Sequence, residues 1–524
     1  MSSTYEVARQ VGATPKRLYE AWLNSQEHSE MSGRGASIGP AAGESFTAAD
    51  GRITGSTLEV EPYHRIVQIW NAEEPGGRTF ESRVEIAFVT GPAWGGLPGS
   101  AADGATVIIR HSALPPEQRL FSPQWWEDNY FAPMDAYFGR GNARFVRPLS
   151  RPNSTQITRF SEHLIHQGFA YAYALSAADI CGTGSLDLVA VDTNVGLYLF
   201  ENDGGGNFKR HVIRRRVGEW LERHAIADID GDGKAEIVSV DNTNGCLLYF
   251  ACDGDPRRSA SWTHHYISEG ELPGAYDLSI ADLNGDGCLD VAASSWRIGR
   301  QFAWFENREG QWVKHMIEDN VGETRAIHAL DIDGDGRPDL LGTSCTSSEL
   351  MWYRNPGDPT REPWEKHLID RSSSPMHGQP VDLDGDGDVD VVMALRGSDA
   401  SSAAGQCQIV WYENDGSPAS GPWAKHVIAA DFPMAFEAVA GDIDGDGQIE
   451  VVATAWGEDG RLALFKHRGD PKGPWDMQVL KQNWPNVTQV ILGDLTGNGR
   501  LDIAACAERG SNELRWWKNE GAAR

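Results

Sequence analysis

The chain reads as a multidomain protein: an α+β domain followed by an all-β seven-bladed propeller, closed by a strand from the segment that precedes its first blade. Three observations carry this reading. One phrase recurs seven times between Asp179 and Asp502: an aspartate, an apolar residue, a glycine-punctuated acidic turn, a further acid and an apolar run. In most copies that further acid is Asp or Glu eight residues after the first. The first aspartates of successive copies lie 49, 54, 49, 51, 60 and 52 residues apart, a period that suits a propeller blade or a solenoid unit. The stretch before them, residues 1–145, lacks the phrase and instead orders a helix, short alternating segments and a long aromatic helix. A chain of 524 residues also exceeds what one hydrophobic core supports.

Composition narrows the function. A formal net charge of -29 argues against nucleic acid, whose backbone requires cationic neutralisation, and equally against an anionic membrane surface. Much of the acid sits in the repeated turns, as it would if bound cations offset it. Glycine (58) and tryptophan (19) are abundant, which suits many tight turns and aromatic packing between small sheets. The seven cysteines are odd in number and form no CxxC pair, so they read as small apolar residues rather than a disulfide scaffold or a zinc site. The first residues show no cationic start with an apolar core and cleavage site, and no window reaches membrane-spanning length. The expectation is a cytoplasmic protein.

In the first domain Tyr5 to Val11 alternates as a strand. Thr14 reads as the cap of a helix to Leu23, opened by Pro15, with Leu18 and Trp22 four apart on its apolar face. Strand-like segments follow at 44–47, 53–60, 66–70, 80–88 and 106–111, and the Gly-, Pro- and Ala-rich stretch 91–104 reads as a long hairpin loop. A last helix over 122–138 carries Trp126, Tyr130, Met134 and Tyr137 at helical spacing, with Pro133 predicted to kink it or disturb its last turns. TPKRLYEAWLNSQEHSEM, GRITGSTLEVEPYHRIVQIW and WWEDNYFAPMDAYF follow the pattern of the family related to the activator of the Hsp90 ATPase, and the domain resembles its START-like fold. That resemblance implies a sheet wrapped around the long helix, with either an apolar ligand cavity or a protein partner. The aromatic stripe itself fits an ordinary core, and His28, His64 and His111 form no catalytic motif. A linker is placed at 146–156 and the propeller at 157–520.

Each repeat divides into four strands. The innermost precedes the acidic turn, the second follows it, and the third is the aromatic run seen as LYLFEN from Leu197, FAWFEN from Phe302, LMWYRN from Leu350 and IVWYEN from Ile409. The fourth is a W-x-x-H-x-I phrase, as in WVKHMI from Trp312 and WAKHVI from Trp423. The seventh repeat finishes with its third strand, LRWWKN from Leu514, while an unassigned fourth strand, FSEHLI from Phe160, stands upstream of the first. Pairing those two would complete seven blades and hide a sheet edge. The histidines of the fourth strands occupy one equivalent position per blade, so they serve local bonds rather than one metal centre.

The turns carry the firmest chemistry. A D-x-D-x-D-G-x-x-[DE] turn places carboxylates at positions 1, 3, 5 and 9 and a backbone carbonyl at 7, a spacing that suits a hard cation with several oxygen ligands. Blade two offers Asp228, Asp230, Asp232 and Glu236; blade three Asp282, Asn284, Asp286 and Asp290; blade four Asp331, Asp333, Asp335 and Asp339. Blade five offers Asp382, Asp384, Asp386 and Asp390, and blade six Asp442, Asp444, Asp446 and Glu450. Three or four carboxylates within nine residues repel unless protonated or metal-bound. Five calcium sites are therefore expected, with no organic cofactor. The first and seventh turns are weaker, because Cys181 with Thr183, and Thr496 with Asn498, replace carboxylates.

These turns resemble the FG-GAP or VCBS repeats of integrin-type seven-bladed propellers. The W-x-K-H-x-I strand is similar to versions in sugar-processing propellers, including aldos-2-ulose dehydratase and some polysaccharide lyases; binding-only relatives share the architecture. With the turns as braces, function is expected on the opposite face of the disc. Five residues before each motif aspartate the ring reads Ala174, Arg223, Asp277, Ala326, His377, Glu437 and Gln489. Two readings stand: a hydrated structural network, or a site for a sugar-like small molecule or oligosaccharide. In the second, His377 or Glu437 is the base of an elimination, Arg223 or Arg325 stabilises the enolate-like oxygen, and Tyr276 assists the leaving group. Asp277 with Glu437 would serve hydrolysis. Trp220, Trp296, Arg297, Trp456, Trp484 and Gln489 would bind the substrate. The alternatives are a non-enzymatic, calcium-dependent sugar- or protein-binding propeller, and an apolar ligand in the first domain.

Overall fold

One large antiparallel sheet and seven four-stranded ones account for the strands of the computed structural model, which describes residues 3–11, 13–73, 78–90, 105–115, 118, 120–138, 140–148, 158–397 and 407–522. The chain divides into two compact units with the boundary between 151 and 152. The loop assigned to 91–104 and most of the linker assigned to 146–156 lie outside the described residues.

In the first unit eight strands lie in the spatial order Ser37–Ile38, Ser45–Ala48, Ile53–Glu61, Arg65–Glu73, Thr79–Thr90, Ala105–Leu114, Ser3–Val11 and Arg140–Pro148. The Thr14 hydroxyl accepts from the Arg17 N–H at 3.3 Å, and Pro15 opens the helix Pro15–Leu23. A second helix, Ser25–Ser32, has no apolar stripe to announce it; Asn24 caps it by accepting from the Glu27 N–H, and Gly33 ends it in the left-handed region. The last helix is disturbed next to Pro133, as expected. It winds as α over Pro123–Trp126, widens to a π-turn over Glu127–Phe131 and resumes over Ala132–Phe138. Pro133 lacks the N–H that would bond the carbonyl four residues earlier, and the wider turn ahead of it absorbs the defect.

Trp22, Trp70, Trp126, Tyr130 and Phe121 fill the interior of this unit, with Trp22 stacked on Tyr130 at 5.1 Å. His28 joins them, bonded to the Trp22 carbonyl at 2.8 Å and the Tyr130 hydroxyl at 3.2 Å. His111 meets the Ser82 hydroxyl at 2.9 Å and accepts from the Trp126 indole at 3.3 Å. Burial lowers both, His28 to about 4 and His111 to about 3, so each is a neutral core residue. Trp126, Tyr130 and Met134 of the stripe are core, whereas Tyr137 is exposed and donates its hydroxyl to Glu30 at 3.2 Å.

In the second unit each inner strand packs against the next, and the seventh, Val487–Gly493, packs against the first, Ala172–Ala178, closing a ring. The seventh sheet contains Val487–Gly493, Asp502–Ala507, Glu513–Ala522 and then Thr158–Gln167. Trp516 faces His163 and Asn519 faces Phe160 across that last pair. The upstream strand therefore supplies the missing outer edge and ties the ring shut. The second strands are buried along their whole length, from Asp187–Asp192 in blade one to Asp502–Ala507 in blade seven, because a sheet stands on either side of each. Outer-strand histidines act within their own blades: His315 stacks on Trp304 at 4.5 Å and meets Glu306 at 2.7 Å, and His426 repeats this with Trp411 and Glu413.

Candidate functional site

The acidic turns wrap as their glycines allow. In blade two, Gly231 and Gly233 take φ of 76° and 87°, and the Gly233 N–H returns to Asp228 at 2.9 Å. Four turns gather three carboxylates whose oxygens all lie within 4.8 Å of one another: Asp228, Asp230 and Glu236; Asp331, Asp333 and Asp339; Asp382, Asp384 and Asp390; Asp442, Asp444 and Glu450. Oδ1 of Asp228 is buried with no hydrogen-bond partner among the described residues. All-oxygen donors around such an atom fit a hard divalent cation.

Two expectations change here. Blade three does not form a group of three acids, because Asn284 supplies an amide beside Asp282 and Asp290. The fifth-position acids lie outside these groups of three. Asp232, Asp286, Asp335, Asp386 and Asp446 each accept the backbone N–H two residues on, at 2.8 to 3.0 Å. Such a local turn is always available to an aspartate. In blade six Lys466 also reaches the turn, touching Asp444 and lying 2.9 Å from Asp446.

The ninth-position acids are built into the fold rather than merely exposed. Asp339 accepts from the N–H groups of Ile332 at 3.0 Å and Asn355 at 2.7 Å, and Asp187, Asp290, Asp390 and Asp502 repeat the arrangement. Burial pushes Glu236, Asp290 and Asp339 up to about 7 and Asp390 to about 8, a penalty a bound cation would oppose. The asparagine that ends the third strand then crosses to the preceding blade. Asn202, Asn307, Asn355 and Asn519 donate their side-chain amides to the carbonyls of Leu495, Ile229, Leu283 and Ile443 at 2.6 to 3.1 Å. Blades two and six lack this asparagine, having Cys252 and His467 there. They are also the two whose ninth acid is Glu.

At the axis, the pairing of inner and second strands slips at the same place in every blade, from Ala172/Leu175 to Val487/Val490. Such a bulge re-aims side chains, and the results meet across the channel. Arg223 of blade two pairs with both oxygens of Glu437 of blade six, at 3.0 and 3.2 Å. The Tyr173 and Tyr276 hydroxyls lie 2.6 Å apart, Tyr276 reaches Nε2 of His377 at 3.1 Å, and Nδ1 of His377 stands 3.8 Å from Asp277. Tyr276 is fully buried and His377 is 2% exposed. Burial, with Arg223 opposing it, raises Asp277 to about 6; burial lowers His377, helped by Arg223 and Arg325.

Above this plug lies an aromatic rim. Tyr173, Tyr276, Met376 and Phe436 form its floor, with the half-buried Tyr171, Trp296 and Trp456 packed on them and Trp220 next to Tyr171. Trp220 and Trp296 donate their indole N–H to Glu222 and Glu323 at 3.0 Å each, and Trp456 donates to Glu508. Arginines lie over the rings: Arg297 and Arg325 on Trp296 at 3.9 and 4.4 Å, Arg396 on Trp456 at 5.0 Å and Arg509 on Tyr171 at 4.9 Å.

The repeats match the FG-GAP-like repeat model at residues 179–239, 228–293, 282–342, 331–393 and 442–505, more than half of the chain. The chain belongs to the FG-GAP-like repeat family. Residues 12–138 match the activator of Hsp90 ATPase homolog 1-like protein, so an Hsp90-activator-like domain precedes the FG-GAP repeats. Aldos-2-ulose dehydratase of Phanerodontia chrysosporium is 23% identical over 181 residues, 29% of this chain and 19% of that relative's length. An HSP90 activator from Plasmodium falciparum aligns over 28% of this chain and 99% of its own at 16% identity and TM-score 0.22. YCF48 from Cyanidioschyzon merolae aligns over 68% of this chain and 98% of its own at 9% identity and TM-score 0.43.

Within the FG-GAP propeller, the structure sorts the residues that sequence reasoning nominated. Arg223, Tyr276, Asp277, Arg325, His377 and Glu437 come together at the axis, buried and largely bonded to one another. Trp220, Trp296, Arg297 and Trp456 stand on the rim above. Trp484 does not: it is 2% exposed in the core beside Trp517, its indole donating to Glu513. Gln489 accepts the Leu175 N–H of blade one at 2.8 Å and so braces the closure. Sequence reasoning placed Arg396 on this face but missed Tyr171, Glu508 and Arg509, which lie in loops whose ends the repeat does not mark. It also missed the stapling asparagines, although the recurring E-N of the third strand was in view.

Proposed function

We propose that this protein is a calcium-braced propeller that binds a sugar-like, polyhydroxylated ligand on the face opposite its acidic turns. The observation that carries the reading is the rim. Tyr171, Trp220, Trp296 and Trp456 offer ring faces for stacking, and the carboxylates and guanidinium groups beside them suit hydroxyl recognition. The exposed Arg297 lies over Trp296 where a sugar ring would stack, and its exposure leaves it free to move aside. The axial groups favour binding over turnover: a base for elimination must meet the substrate, whereas Glu437 is held by Arg223 and His377 by Tyr276. The four carboxylate groups in the turns would hold calcium, an ion that takes flexible all-oxygen cages.

A second reading, elimination at the same face, draws on the likeness to aldos-2-ulose dehydratase. One experiment separates the two. The calcium-loaded full chain is titrated by calorimetry with a panel of oligosaccharides, uronides, keto-sugars and anhydro-sugars while absorbance and mass are followed. Saturable binding without a new product, weakened about fivefold or more in Trp456→Ala if the lost ring face is worth about 1 kcal/mol or more, as aromatic stacking platforms are, supports the binding module. An unsaturated product would replace it with a lyase, and no binding by any member of the panel would overturn both.

A further inference from the structure

The arginines of the rim are not equivalent. Arg223 is buried against both oxygens of Glu437, Arg297 faces Glu323 at 3.5 Å, and Arg509 faces Glu508 at 3.6 Å. Arg325 has no such partner. It is 7% exposed, forms no ion pair among the described residues, and its Nε has no hydrogen-bond partner there. Its closest company is the rings of Tyr276 at 4.8 Å and Trp296 at 4.4 Å and the thiol of Cys345; the buried Glu222 carboxylate feels its charge without bonding to it. Arg396 of the next blade, half-buried over Trp456 at 5.0 Å, also forms no ion pair among the described residues. The two guanidinium groups feel the same three neighbours, Tyr173, Tyr276 and Cys345. The rings they cover, Trp296 and Trp456, pack on one cluster with Tyr276, Met376 and Cys345, which places both arginines over the same aromatic floor, and the charge of Arg325 adds to burial in lowering the pKa of Arg396.

A buried cation with no bonded counter-charge is costly. Two such cations over the rings of one aromatic cluster suit an oxyanion brought by a ligand, since guanidinium groups recognise carboxylate and sulfate through paired N–H donors. Resting on the carbohydrate reading above, we infer that the ligand is an acidic saccharide whose carboxylate or sulfate is received between Arg325 and Arg396, with its rings on Trp296 and Trp456. The exposed Ile298, 74% exposed at the tip beside Arg297, adds an apolar edge on the Trp296 side of that cradle.

The test uses the calcium-loaded full chain at fixed free calcium and ionic strength. Calorimetry compares a uronate-bearing disaccharide, its neutral methyl ester and a sulfated disaccharide, in the wild type and in Arg396→Gln. Arg396 is chosen because its partial exposure makes loss of the fold a lesser hazard than at Arg325. Arg468→Gln, in the bend after the third strand of blade six and bonded to Asp476 of the outer strand, serves as control. The expected result is a preference of about tenfold or more for an acidic form over the ester, lost in Arg396→Gln and kept in Arg468→Gln. Which acidic form binds tells carboxylate from sulfate. Equal binding of ester and acids, or a preference that survives Arg396→Gln, overturns the inference and leaves the carbohydrate reading standing. Binding of none of the three, or of any other saccharide, sinks both.

Discussion

Arg223 and Glu437 show how far a single pair decides the axis of this molecule. Each is almost wholly buried, and each carries a charge that only the other meets directly. Glu437→Gln leaves a guanidinium half-satisfied at the channel centre and is expected to cost about 3–5 kcal/mol, while a double replacement by apolar residues of similar volume should recover most of that; urea unfolding of the three proteins checks it. His28 and His111 make the opposite case, groups kept neutral by burial. Because each is lowered from 6.5 in the fold, the unfolded chain binds more protons below that pH. Their stability contribution is complete above pH 6.5 and falls by about 1.4 kcal/mol per pH unit for each histidine as pH drops toward 4. Thermal melts of the first unit's near-ultraviolet signal between pH 4.5 and 7 should show that slope, and His28→Gln should flatten it.

At the level of the element, one turn and one asparagine build the blade interface. The ninth-position acid fixes the turn to the end of the third strand, and the asparagine there passes a hydrogen bond to the blade before. Asn355→Ala, which removes a 2.8 Å bond to Leu283 and a 2.9 Å bond to Pro338, is expected to destabilise by about 1–3 kcal/mol because buried carbonyls lose their donor. Asn414 reaches Ile332 at 3.4 Å, and Asn414→Ala should cost less; equal losses in chemical denaturation would show that distance is not what matters. Asp333→Ala removes one oxygen donor from the blade-four group. Elemental analysis should then find less bound calcium than in the wild type, with a lower melting temperature in calcium and little difference in chelator. This asparagine was legible as a recurring letter, but its role was not, because the carbonyl it bonds belongs to another blade.

For the whole molecule, closure is the device that matters. Thr158–Gln167 stands at one end of the ring's sequence and pairs with Glu513–Ala522 at the other, so the edge of the seventh sheet is covered by the start of the unit. A chain beginning at residue 168 should expose that edge and the aromatic strand around Trp516 and Trp517. Size-exclusion chromatography is expected to show oligomers or aggregates, and a monomer as stable as the full chain would contradict the closure. The described residues contain no helix long and apolar enough to cross a membrane.

The sequence by itself determined the seven blades, their closing strand, the acidic turns and the Thr14-capped helix. The turns, blades and capped helix depend on residues within about fifty positions of one another, on local turn geometry and on strand alternation, and the closing strand was legible because it repeats the fourth-strand phrase that the seventh repeat lacks. It also named most of the axial residues, because a repeat makes equivalent positions easy to align. Tertiary structure alone decided what those residues do. Arg223 and Glu437 are 214 positions apart, and no local pattern records that they neutralise each other across a channel. A bulge in every inner strand set which side chains face the axis, and alternation does not predict a bulge. Trp484 went to the core and Trp296 to the rim for the same reason: burial is settled by which neighbouring blade covers a ring, and the neighbour is known only once the ring has closed.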